Sequence, residues 1–295
     1  MEATLSHFDS LSAAWHGLWQ KLAPRCDHRE CRHAHTLWRR LRRKKTGVLI
    51  RGAWCCQDEC VARVLTDELG RTRPTLRQPA VSHRLPLGLL LLSRQQLTAE
   101  QLSTALEAQR SAGRGRIGEW LQTLGFVSEY QITAALARQC SCPVLRVDSL
   151  KPPSPSAPQI PATLLQSFVM VPIDYVASTR TLYMAFAERI DYTALYAIEQ
   201  MLECHTEACL AAPSTLRNSL ADLAERRGES EIVLDLADAG EFARIVQSYS
   251  VRVAASEIRI AACGEHLWVR LLRPAHHALD LVLRSSLPPA AIPAL

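Results

Sequence analysis

The feature that most constrains this chain is an internal repeat with a spacing of 30 residues between positions 86 and 139. Identical pairs include Gly88/Gly118, Leu91/Leu121, Ala105/Ala135, Leu106/Leu136 and Gln109/Gln139. Self-similarity at a fixed period is typical of a duplicated supersecondary unit whose copies cover one another's apolar faces. We therefore predict two copies of one small fold that pack together.

Each copy carries the signals of a helix start. Thr98 and Ser128 are each followed three residues later by glutamine, Gln101 or Gln131, which is the pattern of a reciprocal capping box. Apolar residues then recur at spacings of three and four, which gives each helix one buried face. The stretches 87–94 and 117–124 predict a short preceding helix, so each copy is predicted to be a helix pair.

The second copy contains the complete pattern Arg-Leu-Gly-x2-Leu-x3-Gly-x6-Leu-x3-Leu-x2-Gln, with Ile117 and Ile132 at two of the leucine positions. This pattern, present twice, resembles the MshEN-type domain at the N-terminus of type II secretion and type IV pilus assembly ATPases. In that family the paired motifs bind cyclic di-GMP. The ligand-binding residues that the resemblance implies here are Leu87, Gly88, Leu91, Gln109, Arg116, Ile117, Gly118, Leu121 and Gln139.

The first copy departs from this pattern at two positions. Pro86 stands where the arginine belongs, and proline cannot make charge-assisted contacts to phosphate or guanine. Gln95 stands where the second glycine belongs, and we expect its side chain to crowd a surface that glycine leaves open. Arg84 is an alternative cation for the first copy. Binding of cyclic di-GMP and docking of protein partners alone both stay open.

The resemblance extends beyond the repeat. Residues 143–226 look like the α/β half that completes the same domain, and residues 239–270 are more loosely similar to the small domain before the motor core of these ATPases. Local patterns predict strands near 169–172, 181–186, 206–211 and 232–236, helices over 191–202, 213–226 and 239–254, and a hairpin of 257–262 with 266–273.

The predicted fold class is α+β, with several small domains. We predict a basic Cys-rich unit over 1–79, the duplicated helical module over 80–142, an α/β subdomain over 143–227 and a small α/β unit over 228–295. Within the first of these we predict a helix over 11–21, a basic amphipathic stretch over 37–45, a strand over 48–51 and a helix over 60–69.

Residues 1–79 differ from the rest in charge and in cysteine content. They hold 15 Lys/Arg and 8 Asp/Glu, a net charge of +7, whereas the remainder has a net charge of −2. With no export signal, clustered cysteines are better interpreted as metal ligands than as disulfides. Two spaced pairs predict a structural zinc site, and its ligands are Cys26, Cys31, Cys56 and Cys60.

The ligand set stays open at this point. Cys55 is an alternative to Cys56, and a histidine, His28, His33 or His35, could replace a thiol. The other alternative is a group of thiols without metal. The basic run 39–45 has six cations in seven residues but no interleaved aromatic side chains, so we interpret it as a solvated face and do not expect a nucleic-acid partner.

Motifs of hydrolytic chemistry are absent from the sequence. There is no phosphate-binding Gly-x4-Gly-Lys-Ser/Thr, no Gly-x-Ser-x-Gly and no His-Glu-x2-His, so we expect no ATP hydrolysis and no other enzyme activity. The first residues are acidic, and the longest apolar run, Leu85 to Leu92, is interrupted by Pro86 and Gly88. We therefore expect a cytoplasmic protein without a membrane span.

Two hypotheses of function follow. The first is a non-catalytic regulatory or assembly protein related to the secretion and pilus ATPases, which binds cyclic di-GMP and has the ATPase or an inner-membrane platform protein as its partner. The alternative is a zinc-stabilised adaptor that binds nucleic acid or protein through residues 1–79.

Overall fold

The computed structural model describes residues 25–31, 47–71, 85–146, 157–226, 231–273 and 276–285. The predicted helix over 11–21, the basic stretch 37–45 and Arg84 lie outside these residues. The chain divides into two compact units, unit 1 (residues 1–74 and 230–295) and unit 2 (residues 75–229).

The described residues form helices and strands in both units, which confirms the predicted α+β class. The helices are α1 (Asp58–Arg71), α2 (Leu87–Ser93), α3 (Ala99–Ala112), α4 (Ile117–Thr123), α5 (Glu129–Gln139), α6 (Ala162–Ser167), α7 (Tyr192–Leu202), α8 (Pro213–Arg226) and α9 (Ala239–Arg252). The strands are β1 (Val48–Ile50), β2 (Ala53–Cys55), β3 (Met170–Val176), β4 (Thr181–Phe186), β5 (His205–Leu210), β6 (Glu231–Leu236), β7 (Glu257–Cys263), β8 (His266–Arg273) and β9 (His276–Ser285).

Unit 1 is built on a six-stranded mixed sheet in the order β2-β1-β7-β8-β9-β6. The predicted hairpin of β7 and β8 is present, and β9, which the sequence analysis does not predict, continues it on the other edge of β8. Strand β1 pairs in parallel with β7, with Leu49 opposite Glu257 and Ile50 opposite Ile258. The segments 1–79 and 228–295, predicted as separate domains, therefore share one sheet. Local patterns could not reveal this pairing, because the two strands lie about 200 residues apart in sequence.

One face of this sheet packs against α1 and α9, which also pack against each other. Alternate residues of β8 face the helices, because side chains along a strand alternate between its two faces. The core of unit 1 includes Leu65 of α1, Phe242 and Val246 of α9, and Val269 and Leu271 of β8, all fully buried. The N-terminal cysteines belong to the same core.

Unit 2 begins with the duplicated module, α2 to α5. Both predicted capping boxes are confirmed: Gln101 N donates to Thr98 Oγ1 at 3.2 Å, and Gln131 N donates to Ser128 Oγ at 3.3 Å, with the reciprocal glutamine bonds also present. The short helix of each copy packs against the long helix of the other, α2 on α5 and α4 on α3. The buried core consists of residues related by the repeat, Leu91/Leu121, Leu97/Val127 and Ala105/Ala135.

The rest of unit 2 is a three-stranded sheet in the order β3-β4-β5, antiparallel between β3 and β4 and parallel between β4 and β5. Helices α6 and α8 pack on β3, and α7 packs on β5. The carboxylate of Glu129, in the first turn of α5, accepts hydrogen bonds from Ser214 N at 2.9 Å and Ser214 Oγ at 2.5 Å. This contact joins the second copy of the module to the start of α8.

Among the described residues, no helix has the length and apolar character that crossing a membrane requires.

Candidate nucleotide and metal sites

The two glutamines that end the repeat motif make equivalent contacts in the two copies. Gln109 Nε2 donates to the carbonyl of Gly115 at 2.8 Å, and Gln139 Nε2 donates to the carbonyl of Leu85. Both acceptors are related by the 30-residue repeat, and each directly precedes the first motif position of the opposite copy. Each glutamine therefore positions the start of the other copy. The sequence motif assigns these residues to a ligand and does not reveal this second role.

The first glycine of each motif is buried where its short helix closely approaches side chains of neighbouring helices. A Cβ at Gly88 would lie 2.8 Å from Leu102 Cδ1, and one at Gly118 would lie 3.3 Å from Leu87 Cδ2 and 3.4 Å from Ile132 Cγ2. Leu91 and Leu121 are completely buried in the module core. These four predicted ligand residues thus have a packing role, and their contact with a ligand stays a prediction.

Arg116 is the exposed cation of the motif, and it directly precedes α4. Its side chain is 68% exposed and forms an ion pair with the carboxylate of Glu188, which follows β4. The backbone N–H of Arg116 donates to Glu119 at 3.1 Å. Glu188 is a site residue that the sequence analysis does not identify, because it lies 72 residues away in the α/β half. The arginine therefore stands between the helical module and the end of the sheet.

The first copy has the same backbone design without the charges. The carbonyl of Pro86 accepts from Leu90 N, as that of Arg116 accepts from Trp120 N. Leu89, which is 49% exposed, stands where the second copy has Glu119. The two copies thus share this backbone hydrogen bond. At the two compared positions the first copy has apolar side chains where the second has charged ones.

Gln95 does not crowd the protein around it, and its expected crowding of the ligand-facing surface stays a prediction. Gln95 is exposed and adopts the left-handed conformation with φ of 56°, close to the 72° of Gly125 in the second copy. No atom lies within 4 Å of a Cβ built on Gly125, so the position has room for a side chain. Within the protein, glutamine at this position costs backbone strain and meets no neighbouring atoms.

The second site lies in unit 1, where the four predicted cysteines come together. The Sγ atoms of Cys26, Cys31, Cys56 and Cys60 all lie within 4.8 Å of one another, and all four residues are buried. The Sγ atoms of Cys31 and Cys56 are 3.5 Å apart. Four thiolates arranged tetrahedrally at the usual Zn–S distance of about 2.3 Å would have sulfur atoms about 3.8 Å apart. The observed spacing fits such a site.

Local structure brings the two cysteine pairs to this point. Cys56 directly follows β2 and Cys60 lies in the first turn of α1, so the second pair spans the junction of a strand and a helix. The first pair lies on a turn in which Cys31 N donates to the carbonyl of His28 at 3.1 Å. This turn is held to β2, because Asp27 N donates to the carbonyl of Trp54 at 2.9 Å and Trp54 N donates to Asp27 Oδ2 at 2.5 Å.

The thiols of Cys56 and Cys60 oppose ionisation when no cation is present. Burial, with a hydrogen bond to Cys31 and the charge of Cys26, raises the pKa of Cys56 to about 12. Burial and the charge of Cys26 likewise raise the pKa of Cys60 far above its usual range. A divalent cation removes this penalty, since it stabilises the thiolate form of every ligand. The cluster has the chemistry of a cation site.

The two described alternative ligands, Cys55 and His28, are not part of this group. Cys55 is completely buried, and burial together with the charge of Cys26 raises the pKa of its thiol to about 12, but its sulfur lies outside the four-sulfur cluster. His28 is also outside the cluster. His33 and His35 lie beyond the described residues.

A scan against protein-family models and a search of the curated proteins find no match. Among solved structures, the chain is similar to MshE with cdg, with 29% identity and a TM-score of 0.39 over 47% of this chain and 99% of that one. It is also similar to the N-terminal domain of XpsE, with 20% identity and a TM-score of 0.35 over 46% of this chain and 91% of that one. A second crystal form of the same XpsE domain matches with a TM-score of 0.28. The resemblance to an MshEN-type N-terminal region is thus found in the repeat motif and in the search of solved structures.

Proposed function

We propose that the duplicated module of unit 2 binds cyclic di-GMP, and that the chain is a non-catalytic regulatory or assembly protein of a type II secretion or type IV pilus system. The observation that carries this proposal is Arg116. It is an exposed cation at the motif position that the resemblance assigns to the ligand, and it directly precedes a helix of the two copies that share one buried core.

The ligand would have to replace the ion pair between Arg116 and Glu188. Because both side chains are substantially exposed, this pair contributes only about 0.2–1 kcal/mol. A guanidinium that makes bidentate bonds to phosphate or guanine gains more than that. The exchange of Glu188 for a ligand is therefore favourable.

The first copy weakens the site and sets the expected affinity. Cyclic di-GMP has two equivalent halves, and Pro86 offers no charged contact to the second half. A hydrogen bond to a charged group contributes about 1.5–3 kcal/mol, so the missing arginine costs about 10- to 150-fold in affinity. Pro86→Arg should accordingly strengthen binding by at least about tenfold.

Calorimetric titration of cyclic di-GMP into the full chain tests the proposal. Arg116→Ala should abolish measurable binding. Arg114→Ala is the matched control, since it removes an exposed arginine two residues away and should leave the affinity within about twofold. Absence of binding to the wild-type chain and to Pro86→Arg would refute cyclic di-GMP as the ligand.

The proposed partner is the secretion or pilus ATPase, or its inner-membrane platform protein. Support comes from the repeat motif, which the ATPases carry in their N-terminal region. Co-purification of the full chain with each candidate, with and without cyclic di-GMP, tests this part separately. If each candidate co-purifies with the chain only at background level, both with and without cyclic di-GMP, the proposed partner is wrong.

We further propose that the four-cysteine cluster of unit 1 binds Zn2+. The closeness of its four sulfur atoms is the observation that favours the alternative function, a zinc-stabilised adaptor. All four ligand positions are taken by protein thiols, so the metal would have a structural role and no open coordination site. Elemental analysis should find one zinc per chain, and Cys60→Ser should lose it. Cys55→Ser, which alters a buried neighbour outside the cluster, should keep it.

A further inference from the structure

We infer that the metal fastens the β1–β2 hairpin to strand β7, so that metal occupancy decides whether the six-stranded sheet of unit 1 is complete. This inference rests on the proposed zinc site and adds a consequence to it. The hairpin and β7 belong to distant parts of the chain, yet they are neighbours in one sheet.

The contact between the hairpin and the sheet is small. Strands β1 and β2 have three residues each, and β1 shares only two register pairs with β7. Two backbone hydrogen bonds join them outside the regular ladder, Leu49 N to the carbonyl of Ser256 at 3.0 Å and Arg51 N to the carbonyl of Ile258 at 3.1 Å. A two-stranded hairpin of this length is marginal by itself. It needs another attachment.

The cysteine cluster supplies that attachment. The turn carrying Cys26 and Cys31 is bonded to β2, Cys56 follows β2 directly, and Cys60 begins the helix α1. Helix α1 in turn packs against α9 and the sheet core. A metal that binds all four thiolates would connect the turn, the hairpin and the helix into one body that is anchored in the core.

Loss of the metal would loosen this body at its weakest contact. The thiols then lose the cation that holds them together. The hairpin keeps its two register pairs and two further bonds with β7, the ion pair from Arg51 to Glu68 at 3.1 Å and its packing on α1, which is a small contact for two strands of three residues. Strand β7 keeps its antiparallel partner β8 over seven register pairs. The expected change is therefore local: β1 separates, and the β1-facing edge of β7 becomes free.

Hydrogen exchange measured by mass spectrometry on the full chain tests this inference. The protein is compared as the zinc form, after chelation, and as Cys60→Ser and Cys55→Ser. Peptides covering 47–55 should exchange at least about tenfold faster after chelation and in Cys60→Ser, with no change in Cys55→Ser. Peptides of β8 and β9 should keep their protection and serve as the internal control.

The possible failures are distinguishable. If zinc binds at one per chain and peptides 47–55 exchange equally fast with and without it, the fastening role is wrong and the metal site stands. If chelation deprotects β8 and β9 as well, the metal holds the whole unit and the local inference is wrong. If no zinc binds at all, the proposed metal site fails together with this inference.

Discussion

Replacement of Asp280 by asparagine should destabilise unit 1 by about 3–5 kcal/mol. Asp280 lies in β9 directly opposite Arg270 of β8, and both side chains are buried, at 6% and 8% exposure. Its carboxylate accepts from Arg270 Nε at 2.8 Å, from an Arg270 terminal nitrogen at 2.7 Å and from Trp268 Nε1 at 2.8 Å. Asparagine removes the charge that compensates the guanidinium in a place with almost no access to water.

The magnitude follows from comparison with an exposed pair in the same unit. Arg63 Nη1 lies 2.6 Å from Glu30 Oε2, but the side chains of Glu30 and Arg63 are 73% and 63% exposed. Glu30→Gln should therefore lower the stability of unit 1 by at most about 1 kcal/mol. Asp280→Asn should therefore lower the transition temperature of unit 1 by at least about 6 °C, and Glu30→Gln by no more than about 4 °C. Urea unfolding followed by circular dichroism gives both free energies.

A third variant separates the charge effect from packing. Replacement of both partners, Arg270→Met with Asp280→Leu, leaves no unpaired charge and should recover most of the lost stability. The reasoning would be refuted if Asp280→Asn costs no more than Glu30→Gln, or if the double variant is as unstable as the single one.

Three further substitutions are informative. Gln95→Gly should stabilise unit 2 by about 0.5–1 kcal/mol in chemical unfolding, because it relieves a positive φ in open space; destabilisation would contradict this. Gly47→Ala should destabilise unit 1 by about 1–3 kcal/mol, since the new Cβ would lie 2.1 Å from the Trp54 ring, and an unchanged melting temperature would refute that contact. Glu129→Gln should lower the stability of unit 2 by about 1–3 kcal/mol, because it weakens two hydrogen bonds from Ser214. The rate at which a protease cleaves unit 2 should rise, and an unchanged rate would count against these hydrogen bonds.

Local signals predicted the helices well, because the groups that determine them are close in sequence. The capping boxes of the repeat fixed the starts of α3 and α5, and helix α8 has its predicted bounds, 213–226. The four cysteines predicted as one group lie together in the structure, while their binding of metal stays a prediction. The helix starts depend on residues a few positions apart. The cysteine group depends on a residue type whose clustering in a sequence commonly indicates a metal site.

Contacts between distant segments could not be predicted in this way. Strand β9 has a carboxylate at its centre, which is unfavourable in a strand until Arg270 is known to lie opposite. Strand β1 gave a strand signal with no indication of β7 as its partner. Glu188 similarly had no feature that linked it to Arg116. In each case the missing information is the identity of the partner and not the nature of the residue.

The most direct test of the central claim is a two-dimensional NMR titration of the full chain with cyclic di-GMP. The account predicts saturable shifts of the Arg116 and Gly118 amides and of the residues around Glu188, with smaller shifts around Pro86 and none in the hairpin β1–β2. Saturable shifts that leave Arg116 and Gly118 unaffected, or an unchanged spectrum at high ligand concentration, would contradict the proposal that the second copy of the repeat is a nucleotide site.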